Sequence, residues 1–372
     1  MDDIILYGAP FSLYTGRARS YLIKSGRRYR ETTPITRHYV EQVLPAAGGR
    51  QSLPTLELPD GSVIRDGVAI VDHFEHQAGH PFSPTTPVQR FVSRLFDVIG
   101  AEGLLRPAMH YRWDFPDENL DFLRFHFLTA IPRGPDREKK AAAAADRMRG
   151  AGKAFGAVPE TFPVIESLYL ELLTRLDAHF SEHPYLLGNR PCIGDFGLIA
   201  PLYAHLGRDP KPLSIMQAHG IRVFRWVERM NRPEADIGEF ENQDETYLPG
   251  DEIPQTLIDV LRQLAIDFVP ETRAAMECIN DWLAQQDDLP AGTPVERGVG
   301  FAGFELEGIS VSALAQPFRF YLLKRVQDDF DSMNDRDQAA VTALLKDCNL
   351  SGILDYRLNR EIRRDRNLEV WL

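Results

Sequence analysis

Residues 4–22, Ile-Ile-Leu-Tyr-Gly-Ala-Pro-Phe-Ser-Leu-Tyr-Thr-Gly-Arg-Ala-Arg-Ser-Tyr-Leu, leave the chain few ways to begin folding. Ile4, Ile5 and Leu6 form a short apolar run of the kind a fully buried strand shows, and Gly8 with Pro10 breaks it. Ser12 or Thr15 can cap the helix that follows, in which Ala18, Leu22 and Ile23 recur at three- and four-residue spacing. Residues 29–35 read as a second strand, parallel to the first through a right-handed crossover. Residues 55–58 and 63–65 flank Asp60-Gly61, a hairpin signal that makes the last two strands antiparallel. Residues 68–77 return to helical spacing. The sum is a mixed four-stranded sheet with helices on both faces.

Pro81-Phe-Ser-Pro-Thr-Thr-Pro87 is a proline-rich linker, and the chain beyond it lacks convincing strand patterning for a long distance. Phe91, Leu95, Val98, Ile99 and Leu105 predict one long helix over residues 88–113, with Pro107 as the place for a kink. Residues 119–130 and 162–180 are helical. Residues 139–150, with Ala141 to Ala145 in a row, have high helix propensity but little to bury, which suits an exposed helix or a mobile loop. Residues 253–283 have helical periodicity, as one helix bent near Pro270 or two in succession. Residues 301–312 alternate as a strand or hairpin does, and residues 317–330 and 338–345 return to helix.

A chain of 372 residues is too long for one ordinary core, and 44% hydrophobic content fills two or three. No run approaches the roughly 20 apolar residues of a membrane span, and the N-terminus lacks a secretion-type pattern, so a cytoplasmic protein is expected. The net charge of −12 argues against nucleic acid as a partner, which requires a basic surface. Most of the acidic excess follows residue 236, in runs such as 239–245, and leaves the first two-thirds near neutral and open to an anionic small molecule. Cys192, Cys278 and Cys348 are odd in number and form no CxxC pair, so neither a disulfide framework nor a metal site is expected.

Ser12 stands at or near a helix N-terminus, where unpaired amides and the dipole favour an anion and a bound thiol ionises more readily than in water. The segment Ser12-Leu-Tyr-Thr-Gly-Arg17-Ala-Arg19 resembles the first turn of serine-type glutathione transferases, the tau-like and theta-like motif being most similar. Ser52-Leu53-Pro54-Thr55-Leu56, then Pro59-Asp60-Gly61, then Val63-Ile-Arg-Asp66-Gly67-Val-Ala-Ile70 is similar to the second half of that family's thioredoxin-like domain. Tyr185-Leu-Leu-Gly-Asn-Arg-Pro-Cys-Ile-Gly-Asp195 resembles the opening of the buried helix in its all-helical domain, and the helix over residues 221–230 completes a likeness covering about the first 235 residues.

The resemblance implies an α/β plus all-α protein. A thioredoxin-like, glutathione-binding domain would occupy residues 1–80, followed by a linker at 81–87 and an all-helical domain at 88–235. An acidic, mostly helical extension with a possible β-hairpin would form residues 236–372. Glutathione is the implied co-substrate, with Ser12 as the catalytic hydroxyl that stabilises its thiolate; Thr15 is the runner-up, and Tyr7 or Tyr14 the tyrosine-type alternatives. Leu53, before a cis Pro54, would pair its backbone with the cysteinyl part. Asp66 and Gly67 would hold the γ-glutamyl end, although Gly67 stands where the family generally has Ser, and Arg50 and Gln51 are candidates for the glycyl carboxylate. Tyr14, His110, Tyr111 and Trp113 would line a pocket for a hydrophobic electrophile, where stacking and cation–π contacts suit conjugated molecules; ordinary interdomain packing explains the His110 to Trp113 cluster equally well. A homodimer is expected. Cys192 stands where the family usually has Ser or Thr, so the helix cap is altered and Asp195 matters for folding more than for chemistry.

Two patterns carry less than they spell. His73, Glu75, His76 and His80 do not form an HExxH pair and read as a solvated helix end. Gly298-Val-Gly300-Phe-Ala-Gly303 spells GxGxxG but precedes a strand-like run, so it is not a dinucleotide loop. The function classes that remain are an enzyme joining glutathione to an electrophile, an isomerase or lyase using glutathione, and a non-catalytic binding or assembly module built on the extension.

Overall fold

β1 (Ile4–Tyr7) sits inside a four-stranded sheet and is covered on both faces, which is why its apolar run is unbroken. Ile5 and Tyr7 pack against Tyr39 and Val43. Leu6, pointing the other way, joins Leu22, Leu56 and Phe74 in the main core. The computed structural model describes residues 3–234, 238–240, 244–286 and 288–372. Helix α1 (Leu13–Lys24) leads to β2 (Tyr29–Thr32), parallel to β1 with Ile4 opposite Tyr29. A helical turn continues into α2 (Leu44–Ala46). β3 (Thr55–Glu57) and β4 (Val63–Arg65) are antiparallel, with Leu56 opposite both Leu6 and Ile64, so the order is β2-β1-β3-β4. Helix α3 (Gly67–Ala78) closes this unit.

The helix predicted over residues 88–113 is two: α4 (Pro87–Glu102) and α5 (Leu105–Trp113). The break falls at Gly103 because Pro107 lies in the first turn of α5, where its missing N–H costs nothing. A Cβ on Gly103 would lie 3.0 Å from the ring of Phe268. Next come α6 (Pro116–Thr129) and α7 (Arg137–Ala154), whose only buried residues are Ala141 and Gly152, so this segment is the exposed helix rather than the loop. α8 (Phe162–His179), α9 (Ile193–Ala204), α10 (Pro210–His219) and α11 (Ile221–Met230) follow. Asp195, fully buried at the start of α9, accepts from the Cys192, Leu186 and Trp226 N–H groups at 2.9, 3.2 and 3.0 Å. Burial raises its pKa to about 6.

In the extension α12 (Gln255–Ala284) runs through Pro270 as one helix. β5 (Phe301–Leu306) and β6 (Ile309–Leu314) form the anticipated hairpin, and α13 (Pro317–Asp331) and α14 (Asp335–Asp347) the anticipated helices. A second hairpin, β7 (Ile362–Asp365) with β8 (Leu368–Trp371), was not legible beforehand. Its turn docks on the outer side of β4. There the Asn367 amide accepts from Arg65 N at 2.9 Å and donates to the Val63 and Ala46 carbonyls at 2.9 and 3.0 Å. Arg325 on α13 pairs with Asp72 on α3 at 2.6 Å. The expected domain boundary at 235–236 and part of the acidic run 239–245 lie outside the described residues. Among the described residues no helix is long and apolar enough to cross a membrane.

Candidate active site

Ser12 is the N-cap of α1: its backbone is extended (φ −95, ψ 125) and its Oγ accepts from Thr15 N at 3.4 Å. Its own O–H is given to no acceptor among the described residues. Of the other hydroxyls considered, Thr15 is shut away by burial and the two phenols are given to carboxylates. Thr15 is fully buried beneath Gly8, with its Oγ1 accepting from Ala9 N at 3.4 Å. Tyr7 donates to Glu57 Oε2 at 2.8 Å, and Tyr14 donates to Glu102 Oε1 at 3.0 Å. Burial, reinforced by the facing carboxylate, holds each phenol well above its ordinary pKa. A phenol whose proton is shared with a carboxylate is a poor donor to a thiolate.

The turn before Ser12 is fixed by arginines. Arg19, bidentate to Glu31 at 2.6 Å, reaches the Ala9 carbonyl at 3.3 Å. Arg112, on α5, donates to the Phe11 carbonyl at 2.9 Å while its fork holds Asp209 at 2.6 and 2.9 Å. Arg17 pairs with Asp97 at 2.7 Å and ties α1 to α4. Arg112 was passed over because Asp209 stands far along the chain. The usable signal was that an arginine inside an apolar helix face needs a carboxylate somewhere.

Its neighbours do not converge on Ser12. His110 is held by Asp114 and Glu166 at 3.0 and 3.1 Å, and Tyr111 stacks on Phe115 and meets Tyr169. Trp113 packs on Phe127, which also contacts Phe11, so it borders the Ser12 turn through one intervening ring. Tyr14 reaches Glu102 at the end of α4.

The Leu53–Pro54 bond is cis. Pro54 O accepts from Asp66 N at 3.0 Å, bringing the two motifs together. Asp66 has φ 86 and ψ 141, a backbone state that costs a non-glycine residue about 1–3 kcal/mol and is retained where surroundings impose it. It caps α3, with Oδ1 accepting from Val68 N at 2.8 Å and Oδ2 receiving no donor among the described residues. Gly67 has a steric cause: a Cβ there would lie 2.9 Å from the Tyr14 carbonyl. A side chain at this position is disfavoured because the start of α3 lies against the backbone of α1.

The remaining positions meet the extension. Arg50 Nη1 donates to the Val295 carbonyl at 3.0 Å, and Arg297 Nη2 to the Gln51 carbonyl at 2.7 Å. Arg65, nearly buried, pairs with Glu369 at 2.5 Å and reaches Ser52 Oγ at 3.3 Å. Glu75 is a buried acceptor for Tyr21, Phe82 N and Ser83, while His76 and His80 face each other at 3.0 Å. Among the described residues no group of three acidic, histidine or cysteine side chains is placed to hold a metal ion.

A serine hydroxyl with an ungiven proton at a helix N-terminus, a second helix N-terminus beginning at Gly67 and an Asp66 oxygen without a donor among the described residues suit a ligand that carries both anionic groups and an ammonium. Residues 6–82 match the family model of the glutathione S-transferase N-terminal domain. No curated protein matches the chain. Solved structures similar to it include a glutathione transferase from Phanerochaete chrysosporium, 18% identical over 63% of this chain and 98% of that one, with a TM-score of 0.44. Another, from Methylobacterium radiotolerans in complex with glutathione sulfonate, is 15% identical over 63% and 92%, with a TM-score of 0.38. The tau class enzyme of mango is 18% identical over 69% and 96%, with a TM-score of 0.34.

Proposed function

The chain belongs to the glutathione transferase superfamily through its residues 6–82, and from this premise we propose that it binds glutathione and joins the thiolate to a hydrophobic electrophile. The observation that carries the reading is the state of the hydroxyls around α1: Tyr7 and Tyr14 donate to carboxylates and Thr15 is fully buried beneath Gly8, while Ser12 is half-buried at the helix N-terminus with its proton given to no acceptor among the described residues. Ser12 O–H donates to the sulfur, and the first-turn amides and helix dipole favour the charged form, so the thiol ionises at lower pH. The sulfur then forms a bond to the electrophilic carbon, and the leaving group departs with its electron pair or the adduct takes up a proton. Lowered thiol pKa and orientation are the whole of the catalysis required. Leu53 contributes backbone pairing, and Asp66 with the Gly67 N–H contributes contacts to the γ-glutamyl ammonium and carboxylate. Tyr14 and Trp113, beside the Ser12 turn, are the members of the expected acceptor pocket that this reading keeps nearest the sulfur. A homodimer in the cytoplasm belongs to the same reading.

The test is retention on immobilised glutathione together with turnover of an aromatic halide, for wild type and Ser12→Ala. Loss of one donor to developing charge is expected to lower kcat/KM about a hundredfold. Undiminished turnover by the variant would remove Ser12 from the chemistry. One observation favours a non-catalytic binding module instead, namely that the extension lies on Arg50, Gln51 and Arg65. Absence of retention by either protein decides for that module.

A further inference from the structure

A cavity of about 290 Å³ opens where α3, α4 and the start of α9 meet α13 of the extension, and none of the candidate active-site residues lines it. That volume is at the lower end for a small-molecule site. Val98, Leu322 and Val326, all buried, give it an apolar wall. Charges of both signs face that wall. Glu75 is spent on Tyr21, Phe82 N and Ser83, but the others keep capacity. Asp97, 6% exposed, pairs through Oδ1 with Arg17 at 2.7 Å, and its Oδ2 has no donor among the described residues. Burial lifts its pKa against the pull of Arg17 and Arg325, the condition of a carboxylate short of cations. Arg325 Nη2 donates to Asp72 Oδ1 at 2.6 Å, which leaves Asp72 Oδ2 and the Arg325 Nε and Nη1 groups without partners among the described residues. Arg94, three residues before Asp97 and so on the same face of α4, meets Asp329 at 3.5 Å. His76 and His80, hydrogen-bonded to each other at 3.0 Å, form the exposed rim.

We propose that this cavity is a second ligand site and takes a free aliphatic α-amino acid. The ammonium is received by Asp97 Oδ2 and Asp72 Oδ2, the carboxylate by Arg94 and Arg325, and the side chain by the apolar wall. Unspent donors and unspent acceptors stand together here, so a zwitterion satisfies both, whereas an amine or an acid alone brings one uncompensated charge into a partly desolvated space. Leu322, Arg325 and Val326 come from the extension, and without it the cavity has no third side. The extension thereby acquires a role of its own. The bound amino acid would bridge α13 to α3 and α4, independently of the glutathione reading.

Calorimetric titration of the full chain with leucine, with 3-methylbutylamine, which lacks its carboxylate, and with 4-methylpentanoate, which lacks its ammonium, tests the site on the wild-type protein. Leucine is expected to bind, and each half-ligand to bind at least about tenfold more weakly. Arg94→Gln should weaken leucine by about tenfold and leave the amine unchanged. Arg94 is half-buried with a loose ion pair, so this variant should keep the wild-type thermal midpoint. Glutathione at saturation should leave leucine binding as it was. No heat with leucine at millimolar concentration overturns the proposal, as do equal affinities for the three probes or undiminished leucine binding by the variant. Displacement of leucine by glutathione would place it in the Ser12 site and overturns the proposal too, while the glutathione reading survives every one of these results.

Discussion

At the Ser12 end of the candidate site the Arg112 and Asp209 side chains are 3% and 0% exposed, and their pair reaches through to the Phe11 carbonyl. At the Arg50 end Arg297 lies in solvent and donates to a bare carbonyl. Breaking a buried pair by removing one partner costs about 3–5 kcal/mol, because a charge is left uncompensated, whereas exposed contacts contribute about 0–1 kcal/mol. The hydroxyl end is thus set by folding itself. The Arg50 end can be altered without disturbing the fold.

Arg112→Ala should produce the largest effect, a loss of about 3–5 kcal/mol in urea unfolding; a loss below about 1 kcal/mol would erase the contrast between the ends. Gly67→Ser comes next. It places a Cβ against the Tyr14 carbonyl and should cost about 1–3 kcal/mol while weakening peptide binding, although it restores the residue usual in the family. Tighter binding by this variant would show that α1 and α3 yield easily. The smallest effect concerns His205, buried beside Arg112 with Nδ1 at 2.9 Å from the Ala108 carbonyl. Burial, then Arg112, holds its pKa well below 6.5. Below pH 6.5 the unfolded chain takes up a proton that the folded chain refuses, so this contribution is complete above 6.5 and is lost as pH falls toward the depressed value. The stability gap between wild type and His205→Gln should narrow by about 1 kcal/mol per unit between pH 6.5 and 5. A constant gap would mean that the imidazole takes up its proton in the fold as readily as in the unfolded chain.

Much of the first domain was legible because its signals are local. An apolar run, a Gly-Pro break and a two-residue turn each act over a few residues, and β1, β3 and β4 fall where they point. The second strand stops at Thr32 rather than 35, just ahead of Pro34. Pro107 misled because a proline's effect depends on its place in the helix, which sequence spacing did not supply. The β7–β8 hairpin stayed hidden because Arg363, Arg364 and Arg366 blur its alternation; the partners of Arg364 are Glu369 and, in the first domain, the Arg65 carbonyl. Arg112 and Arg297 were missed because their partners, Asp209 and the Gln51 carbonyl, stand far along the chain, and long-range contacts leave no periodicity.

Asn367 has a consequence for how the molecule behaves among copies of itself. β4 ends the sheet, and an end strand ordinarily offers its outward amide and carbonyl groups as a template on which a foreign strand can grow. Here one side-chain amide takes the Arg65 N–H and the Val63 carbonyl. The protein's own tail thereby supplies a plug of a single residue, and that flank is closed to the strand-by-strand accretion through which sheets aggregate.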